Sequence, residues 1–171
     1  MTPEFSRRCP IDSIGSAPRT VSIEANAQER AAIAARFDLV MLEELKATAT
    51  LTASAAGIET RGQLTARVVQ SCVVTAEPVA AQIDEPFKLR FVAPELMASD
   101  AEELELSDTD CDLIEVDNGA IDLGEAVAQT LGLALAPFPR CQTERAREDE
   151  RKWVAGDESG PFAALKGLLK P

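Results

Sequence analysis

The chain contains no histidine and no tyrosine, and one tryptophan and six phenylalanines supply all of its aromatic bulk. Histidine is the commonest general base and the commonest transition-metal ligand, so both roles fall to other residue types. A Ser-His-Asp or Cys-His mechanism is excluded. No GxxxxGK[ST] loop occurs, which excludes that phosphate cradle. The scarcity of aromatic residues leaves alanine, leucine, valine and isoleucine to fill a core.

Long apolar runs are also missing. None approaches the ~20 residues that a membrane-spanning helix needs, and no apolar stretch follows Arg7 and Arg8, so we expect neither a membrane anchor nor a secretory signal. A domain of 171 residues does not need disulfides for stability, so we expect thiols in a reducing cytoplasm. The cysteines form no Cys-x-x-Cys pair and lie far apart: Cys9, Cys72, Cys111 and Cys141.

The net charge of −12 is concentrated in one segment. Residues 95–125 contain twelve acidic side chains and no basic one, while the flanking segments are close to neutral. Such a run is typical of a solvated, partly disordered loop. Alternatively, it attracts a basic partner, such as a ribosomal protein or an assembly factor. On that interpretation the candidate partner-binding residues are Asp108, Asp110, Asp112 and Glu115.

Metal binding is not predicted. Asp108, Asp110 and Asp112 have the alternating spacing of a calcium loop, but the glycine and the final bidentate glutamate are out of register. Four scattered cysteines would hold zinc only if the fold gathered them. No cofactor is indicated.

Hydrophobic alternation predicts an α+β fold built on an antiparallel β-meander of about five to six short strands. Two-residue periodicity over 45–55 and 58–72, with Ala56-Gly57 between them, is typical of a hairpin. Shorter strands are predicted at 20–25, 79–83, 87–91 and 113–116. Prolines are expected to bound these pieces, at Pro78, Pro86 and Pro94.

Two capping patterns predict helices. Asn26 with Glu29 resembles a capping box and starts a short N-terminal helix near 27–37. Asp122 starts a second helix near 122–136, which we expect to pack over the sheet.

The predicted elements form a single α+β domain over residues 1–139, with an acidic loop near 95–111. The remaining residues, 140–171, are expected to form a charged, partly flexible tail with a short apolar helix. That helix is too short to be stable alone, so it docks on the domain or binds a partner. Its candidate contact residues are Phe162, Leu165 and Lys166.

Basic side chains on the predicted strands share one exposed surface if the strands pair as expected. Ordinary solvent-facing charge accounts for such a set, and a phosphate-binding patch is the functional alternative. No aromatic residue lies among them, so a platform for base stacking is not predicted. The residues are Arg61, Arg67, Lys88 and Arg90.

Three stretches, taken in order, resemble one family. They are VVQSCVVTAEPV at 68–79, a segment at 117–139 with the core IDLGEAV, and PFAALK at 161–166. Together they are similar to the YceD family of large ribosomal RNA subunit accumulation proteins, most closely to its alphaproteobacterial members. The resemblance implies a role in 23S rRNA accumulation or processing and in large-subunit assembly, with no known catalytic activity.

The residues that match family positions are Cys72, Glu77, Pro78, Asp122, Leu123 and Pro137. Many relatives carry Cys-x-x-Cys where this chain has Cys72 followed by Thr75, and Cys141 stands alone where some carry further cysteines. The resemblance therefore carries no metal or redox role to this chain, and Cys72 is equally well a small packing residue. We interpret Asp122 as a helix cap and Leu123 as the anchor of that helix on the sheet.

These observations lead to one main hypothesis and two alternatives. The main hypothesis is a non-enzymatic, cytoplasmic ribosome biogenesis factor that binds no membrane and no small-molecule substrate. Its acidic segment would attract a basic ribosomal protein or assembly factor, and its sheet bases and tail would contact precursor 23S rRNA. The alternatives are a nuclease that uses carboxylate-bound magnesium and a protein-binding adaptor unrelated to RNA.

Overall fold

The structure, a computed structural model, describes residues 3–55, 57–92, 112–116 and 119–142. These residues form an α+β fold with a mixed five-stranded sheet, a two-stranded sheet and two α-helices. The helices are α1 (Ala27–Arg36) and α2 (Leu123–Ala134). The strands are β1 (Arg8–Pro10), β2 (Arg19–Glu24), β3 (Met41–Ser54), β4 (Gly57–Ser71), β5 (Pro78–Val92), β6 (Asp112–Glu115) and β7 (Ala120–Asp122).

The large sheet has the strand order β2-β3-β4-β5-β6. Its neighbours are antiparallel except for β5 and β6, which are parallel. The prediction of a purely antiparallel meander is therefore wrong at this edge. Alternation within a strand does not encode the direction of its neighbour, and a parallel neighbour needs a connection of a dozen or more residues. Residues 93–111 supply that length.

The predicted hairpin is confirmed as β3 and β4: β4 agrees with the predicted range to within one residue at each end, and β3 begins at Met41, before the predicted residue 45. Leu45, Ala47 and Ala49 are buried on one side of β3, while Lys46 and Thr48 are exposed on the other. This separation is the one that the period-two pattern predicts, because successive side chains of a strand point to opposite faces.

A single strand, β5, replaces the two strands predicted at 79–83 and 87–91. Pro86 lies inside it, opposite Gln63 of β4, so the prediction that Pro86 bounds a strand is wrong. In the described part of the chain β6 pairs with β5 only from Leu89 onward. At Pro86, β5 therefore pairs with β4 only. Proline is tolerated there because the N–H that it lacks is not needed for hydrogen bonds to a second neighbouring strand.

The small sheet joins the N-terminal segment to the chain just before α2. Arg8 pairs with Asp122 and Pro10 with Ala120, in antiparallel register. This pairing is not predicted from the sequence, because a strand of three residues carries no periodic signal and its partner is distant in sequence.

Both helices begin where their capping patterns predict. The Asn26 side chain accepts hydrogen bonds from the backbone N–H groups of Gln28 and Glu29. The Glu29 carboxylate in turn accepts one from the Asn26 N–H at 2.7 Å, which completes the capping box. Leu123 and Leu131 of α2 are fully buried against the inner side of the sheet.

Several predictions fall on residues that the structure does not describe. The acidic loop near 95–111 lies outside the described ranges, and so does the apolar helix predicted in the tail. No helix in the described ranges is long and apolar enough to cross a membrane.

Candidate functional site

The side of the large sheet opposite to the buried residues is here called the outer sheet face. Hydroxyl groups bridge β2 and β3 on this face: Thr20 and Thr50 are 3.4 Å apart, and Ser22 and Thr48 are 3.2 Å apart. The pairing of β3 with β4 and of β4 with β5 extends this face over both strands, and its side chains there are largely charged. The basic residues of the face on β3, β4 and β5 are Lys46, Arg61, Arg67, Lys88 and Arg90.

Three of these basic residues form a group that we call the basic cluster: Arg61, Lys88 and Arg90. Arg61 of β4 lies directly opposite Lys88 of β5, and Arg90 lies opposite Glu59. Glu59 is shared, because its carboxylate is 3.5 Å from Arg61 Nη2 and 3.7 Å from Arg90 Nη2. Arg61 and Lys88 are therefore like charges in directly opposed positions, which repel each other.

The guanidinium of Arg90 has a hydrogen-bond donor that the described residues do not satisfy. Its Nε atom is buried and has no hydrogen-bond partner among the described residues. Leaving a buried donor unsatisfied costs about 1–3 kcal/mol, and because this atom is enclosed by the protein a ligand at the surface does not reach it.

Arg67 shares the outer sheet face but belongs to a different group. It lies six residues from Arg61 along β4, or about 20 Å. Its guanidinium is 3.0 Å from Glu44 and 3.8 Å from Glu43, and Lys46 also contacts Glu44. The four predicted bases therefore lie on one face, but Arg67 lies near two carboxylates, whereas Arg61 and Arg90 share the carboxylate of Glu59.

The predicted acidic contacts are only partly described. Asp112 and Glu115 lie in β6 and are exposed, and because they are three residues apart they point to opposite faces of the strand. Two other acids of the 95–125 run have roles within the fold. Asp122 caps α2, and Glu125 accepts a hydrogen bond from Arg36 at 2.9 Å. Asp108 and Asp110 lie outside the described residues.

Asp122 connects three parts of the chain. Its Oδ1 atom accepts hydrogen bonds from the N–H groups of Gly124 and Glu125 at the start of α2. The same oxygen accepts one from the Arg7 N–H at 2.8 Å, and the Ser6 hydroxyl donates to Oδ2. The matched family position is thus a helix cap that also holds the N-terminal segment.

A second polar group, here called the cysteine cluster, lies at the turn between β4 and β5. It consists of Cys72, Thr75, Glu77 and Cys141. The Cys72 and Cys141 sulfurs are 3.3 Å apart, and the Cys141 backbone N–H donates to the Cys72 sulfur at 3.3 Å. The Cys141 sulfur is also 3.2 Å from Glu77 Oε2 and 3.2 Å from Thr75 Oγ1.

The turn itself brings these groups together. The Cys72 N–H donates to the Glu77 carbonyl at 2.8 Å, and the Ala76 N–H donates to the Cys72 carbonyl at 2.9 Å. Ala76 adopts a positive φ of 58° to close the turn. The Val73 N–H donates to the Pro139 carbonyl at 3.0 Å, which fixes the chain beyond α2 against the turn.

The environment of Cys72 favours its thiolate. Hydrogen bonds from the Cys141 backbone N–H and then from the Thr75 hydroxyl lower the pKa of Cys72 to about 6. Burial has the opposite effect on Cys9 and raises its pKa above the ordinary value. The pKa values of the two thiols therefore shift in opposite directions. Cys72 is not simply a small packing residue, although its side chain is buried.

The other residues that match family positions lie at or near the ends of helices and strands. Leu123 is fully buried at the start of α2, Pro78 is the first residue of β5, and Pro137 is exposed just after α2. Phe162, Leu165 and Lys166 lie outside the described residues. Within the described ranges no three Cys, Asp or Glu side chains are arranged to hold a metal ion.

Neither the contact between Cys72 and Cys141 nor the role of Thr75 as a hydrogen-bond donor is predicted from the sequence. The two cysteines are 69 positions apart, and no spacing rule joins residues at that distance. The likeness of the 68–79 stretch to the family supplied the only signal that this turn is distinctive.

The geometry defines a small α+β protein with a charged sheet face and a thiol-containing turn. The family model for the large ribosomal RNA subunit accumulation protein YceD matches residues 60–169. The chain belongs to this family. The match includes the basic cluster, the cysteine cluster and Asp122, while β1–β3 and α1 precede it. Comparisons with curated proteins and with solved structures find no match.

Proposed function

We propose that this protein is a non-enzymatic ribosome biogenesis factor that supports 23S rRNA accumulation and large-subunit assembly by binding. The family name supplies the pathway, namely accumulation of large-subunit ribosomal RNA. The basic cluster carries the proposal for the mode of action, because Arg61 and Lys88 are exposed and directly opposed on a protein of net charge −12.

The basic cluster has the properties of a phosphate-binding surface. Arg61 and Lys88 are exposed and directly opposed, and the half-buried Arg90 lies beside them on the same face. Contacts from arginine and lysine to phosphates supply most of the sequence-independent affinity for nucleic acid. We therefore assign the contact with precursor 23S rRNA to this cluster.

The acidic run from residue 95 to 125 has a separate role in the proposal. It would attract a basic ribosomal protein or assembly factor, because concentrated charge of one sign speeds association with a partner of the other sign. The two surfaces together would bring a basic protein and an RNA segment to one assembly intermediate.

The charge reversal R61E/K88E is expected to weaken RNA binding by about tenfold or more at moderate salt, since two phosphate contacts are lost and two repulsions are added. The slope of log affinity against log salt should fall by about 1.4 for a single-stranded site. The measurement is a salt titration of binding to a precursor 23S rRNA transcript.

A matched control carries the same change of charge elsewhere. R19E/R140E reverses two exposed arginines that lie outside the outer sheet face, and it should retain more of the affinity. Equal losses from the two double variants would show that only net charge matters. Cleavage of the transcript in magnesium would support the nuclease instead.

The role in the cell is tested by depletion of the protein. We expect a lower ratio of 23S to 16S rRNA and a lower ratio of large to small subunits on sucrose gradients. Affinity purification should recover ribosomal proteins or 23S precursors with the full chain. Unchanged ratios on depletion would leave only the adaptor hypothesis.

A further inference from the structure

The cysteine cluster places two thiols within reach of each other without a bond between them. Cys72 Sγ and Cys141 Sγ are 3.3 Å apart, and a disulfide needs about 2.05 Å between the sulfurs. A shift of about 1 Å would join them. The turn that holds Cys72 and the Val73–Pro139 hydrogen bond that holds the opposite segment keep the two residues in register.

We propose that Cys72 and Cys141 form a reversible dithiol–disulfide pair that reacts with small-molecule disulfides of the glutathione type. This goes beyond the proposed RNA-binding function and does not depend on it. Two features support it besides the distance: Cys141 is only partly buried, and Glu77 Oε2 lies 3.2 Å from its sulfur.

The exchange has two steps, each with a defined leaving group. The Cys141 thiol gives its proton to Glu77, and its sulfur attacks the small disulfide, releasing one small thiolate and leaving a mixed disulfide on Cys141. The Cys72 thiolate then attacks the Cys141 sulfur and displaces the second small thiolate. In the complete exchange, the Cys141 thiol and the Cys72 thiolate are oxidised to a disulfide, the small disulfide is reduced to one thiol and one thiolate, and the proton that Cys141 gave to Glu77 passes to the released small thiol.

The order of the steps follows from exposure and from thiolate character. Cys141 is the more accessible sulfur and reacts first, whereas Cys72 is buried beside it and closes the bond. The low pKa of Cys72 keeps it a thiolate near neutral pH. Cys9 offers an internal comparison, since its raised pKa disfavours reaction.

The bond would link the start of residues 143–171 to the turn between β4 and β5. The chain between α2 and Cys141 is already held there by weaker contacts, including the hydrogen bond from Gln70 Nε2 to the Ala136 carbonyl at 3.1 Å. Oxidation would make this attachment covalent and close a large loop, which restricts the unfolded chain.

The test uses the full-length protein in buffers of varied reduced to oxidised glutathione ratio, followed by alkylation and peptide mass spectrometry. We expect a Cys72–Cys141 linked peptide that accumulates with oxidised glutathione and disappears with reduced glutathione, while Cys9 stays alkylated. Oxidation should also raise the melting temperature. Stable glutathione adducts on Cys141 without a linked peptide would overturn the proposal, as would preferential linkage of other cysteines.

Thr75 variants test the closing step without removing either sulfur. In T75V the Cys72 thiolate loses the hydroxyl donor, so the pH midpoint for closure should rise by about one unit from its value near 6. T75S keeps a hydroxyl and should restore the midpoint. Identical pH profiles for the three proteins would contradict the assigned role of Thr75 and of the Cys72 thiolate.

Discussion

Replacing Asp122 by alanine is expected to lower the free energy of unfolding by about 2–4 kcal/mol. Loss of an N-cap typically costs about 1 kcal/mol, and each half-buried donor left without its acceptor costs about 1–3 kcal/mol. Asp122 accepts from the start of α2, from the Arg7 N–H and from Ser6. Thermal and urea unfolding monitored by circular dichroism would measure the change, with a fall in Tm of about 10 °C.

The Asp122→Asn variant is the matched control. An asparagine keeps one carbonyl oxygen for the backbone donors and is itself a strong N-cap, so it should cost much less than alanine. Amide exchange should also speed up selectively at Arg7 and Gly124 in the alanine variant, because their N–H groups lose their acceptor. Equal stability of the alanine variant and the parent protein would refute the claim that Asp122 joins the N-terminal segment to the start of α2.

A methyl group added at Gly124 is expected to be the second strongly destabilising change. A Cβ on Gly124 would lie 2.5 Å from the Phe5 carbonyl oxygen and 2.9 Å from the Arg7 nitrogen. Both obstacles are backbone atoms, which cannot rotate away as a side-chain tip can. Alanine improves helix propensity by about 1 kcal/mol over glycine, but we expect overpacking to outweigh this gain. The net loss should be about 1–3 kcal/mol.

The Gly15→Ala variant controls for the loss of glycine itself. Its nearest obstacle is 3.9 Å away, in ordinary van der Waals contact, so stability should be nearly unchanged. Limited proteolysis distinguishes the mechanism, because detachment of residues 3–7 from α2 would open the N-terminal segment in the Gly124 variant alone. A stabilised Gly124→Ala protein would show that the N-terminal segment is not packed as described.

Local patterns predict those elements whose signal lies within a few residues. The period-two alternation of Leu45 to Leu51 predicts β3, and the Asn26–Glu29 pair predicts the start of α1. The parallel placement of β6 and the pairing of β1 with β7 depend on distant partners, which periodicity does not specify. The prediction that Pro86 ends a strand is wrong because proline interrupts a strand only where its N–H would bond to a neighbouring strand, and the sequence does not show which positions are paired.

The candidate site was predictable to a similar extent. Alternation correctly places Arg61, Lys88 and Arg90 on the side of their strands opposite to the buried residues, because successive side chains of a strand point to opposite faces. The separation of Arg67 from them, and its pairing with Glu44, depend on cross-strand neighbours that a single sequence does not reveal. The acidic run is visible as composition, yet composition does not show that Asp122 and Glu125 are used by the fold.

The 23S to 16S rRNA ratio, measured in depleted cells that carry a second copy of the gene, tests most directly whether the outer sheet face recruits ribosomal RNA. We expect the parent protein and R19E/R140E to restore the ratio, and R61E/K88E, expressed to the same level and equally folded, to leave it low. Full restoration by R61E/K88E would contradict the claim that this face of the sheet recruits ribosomal RNA.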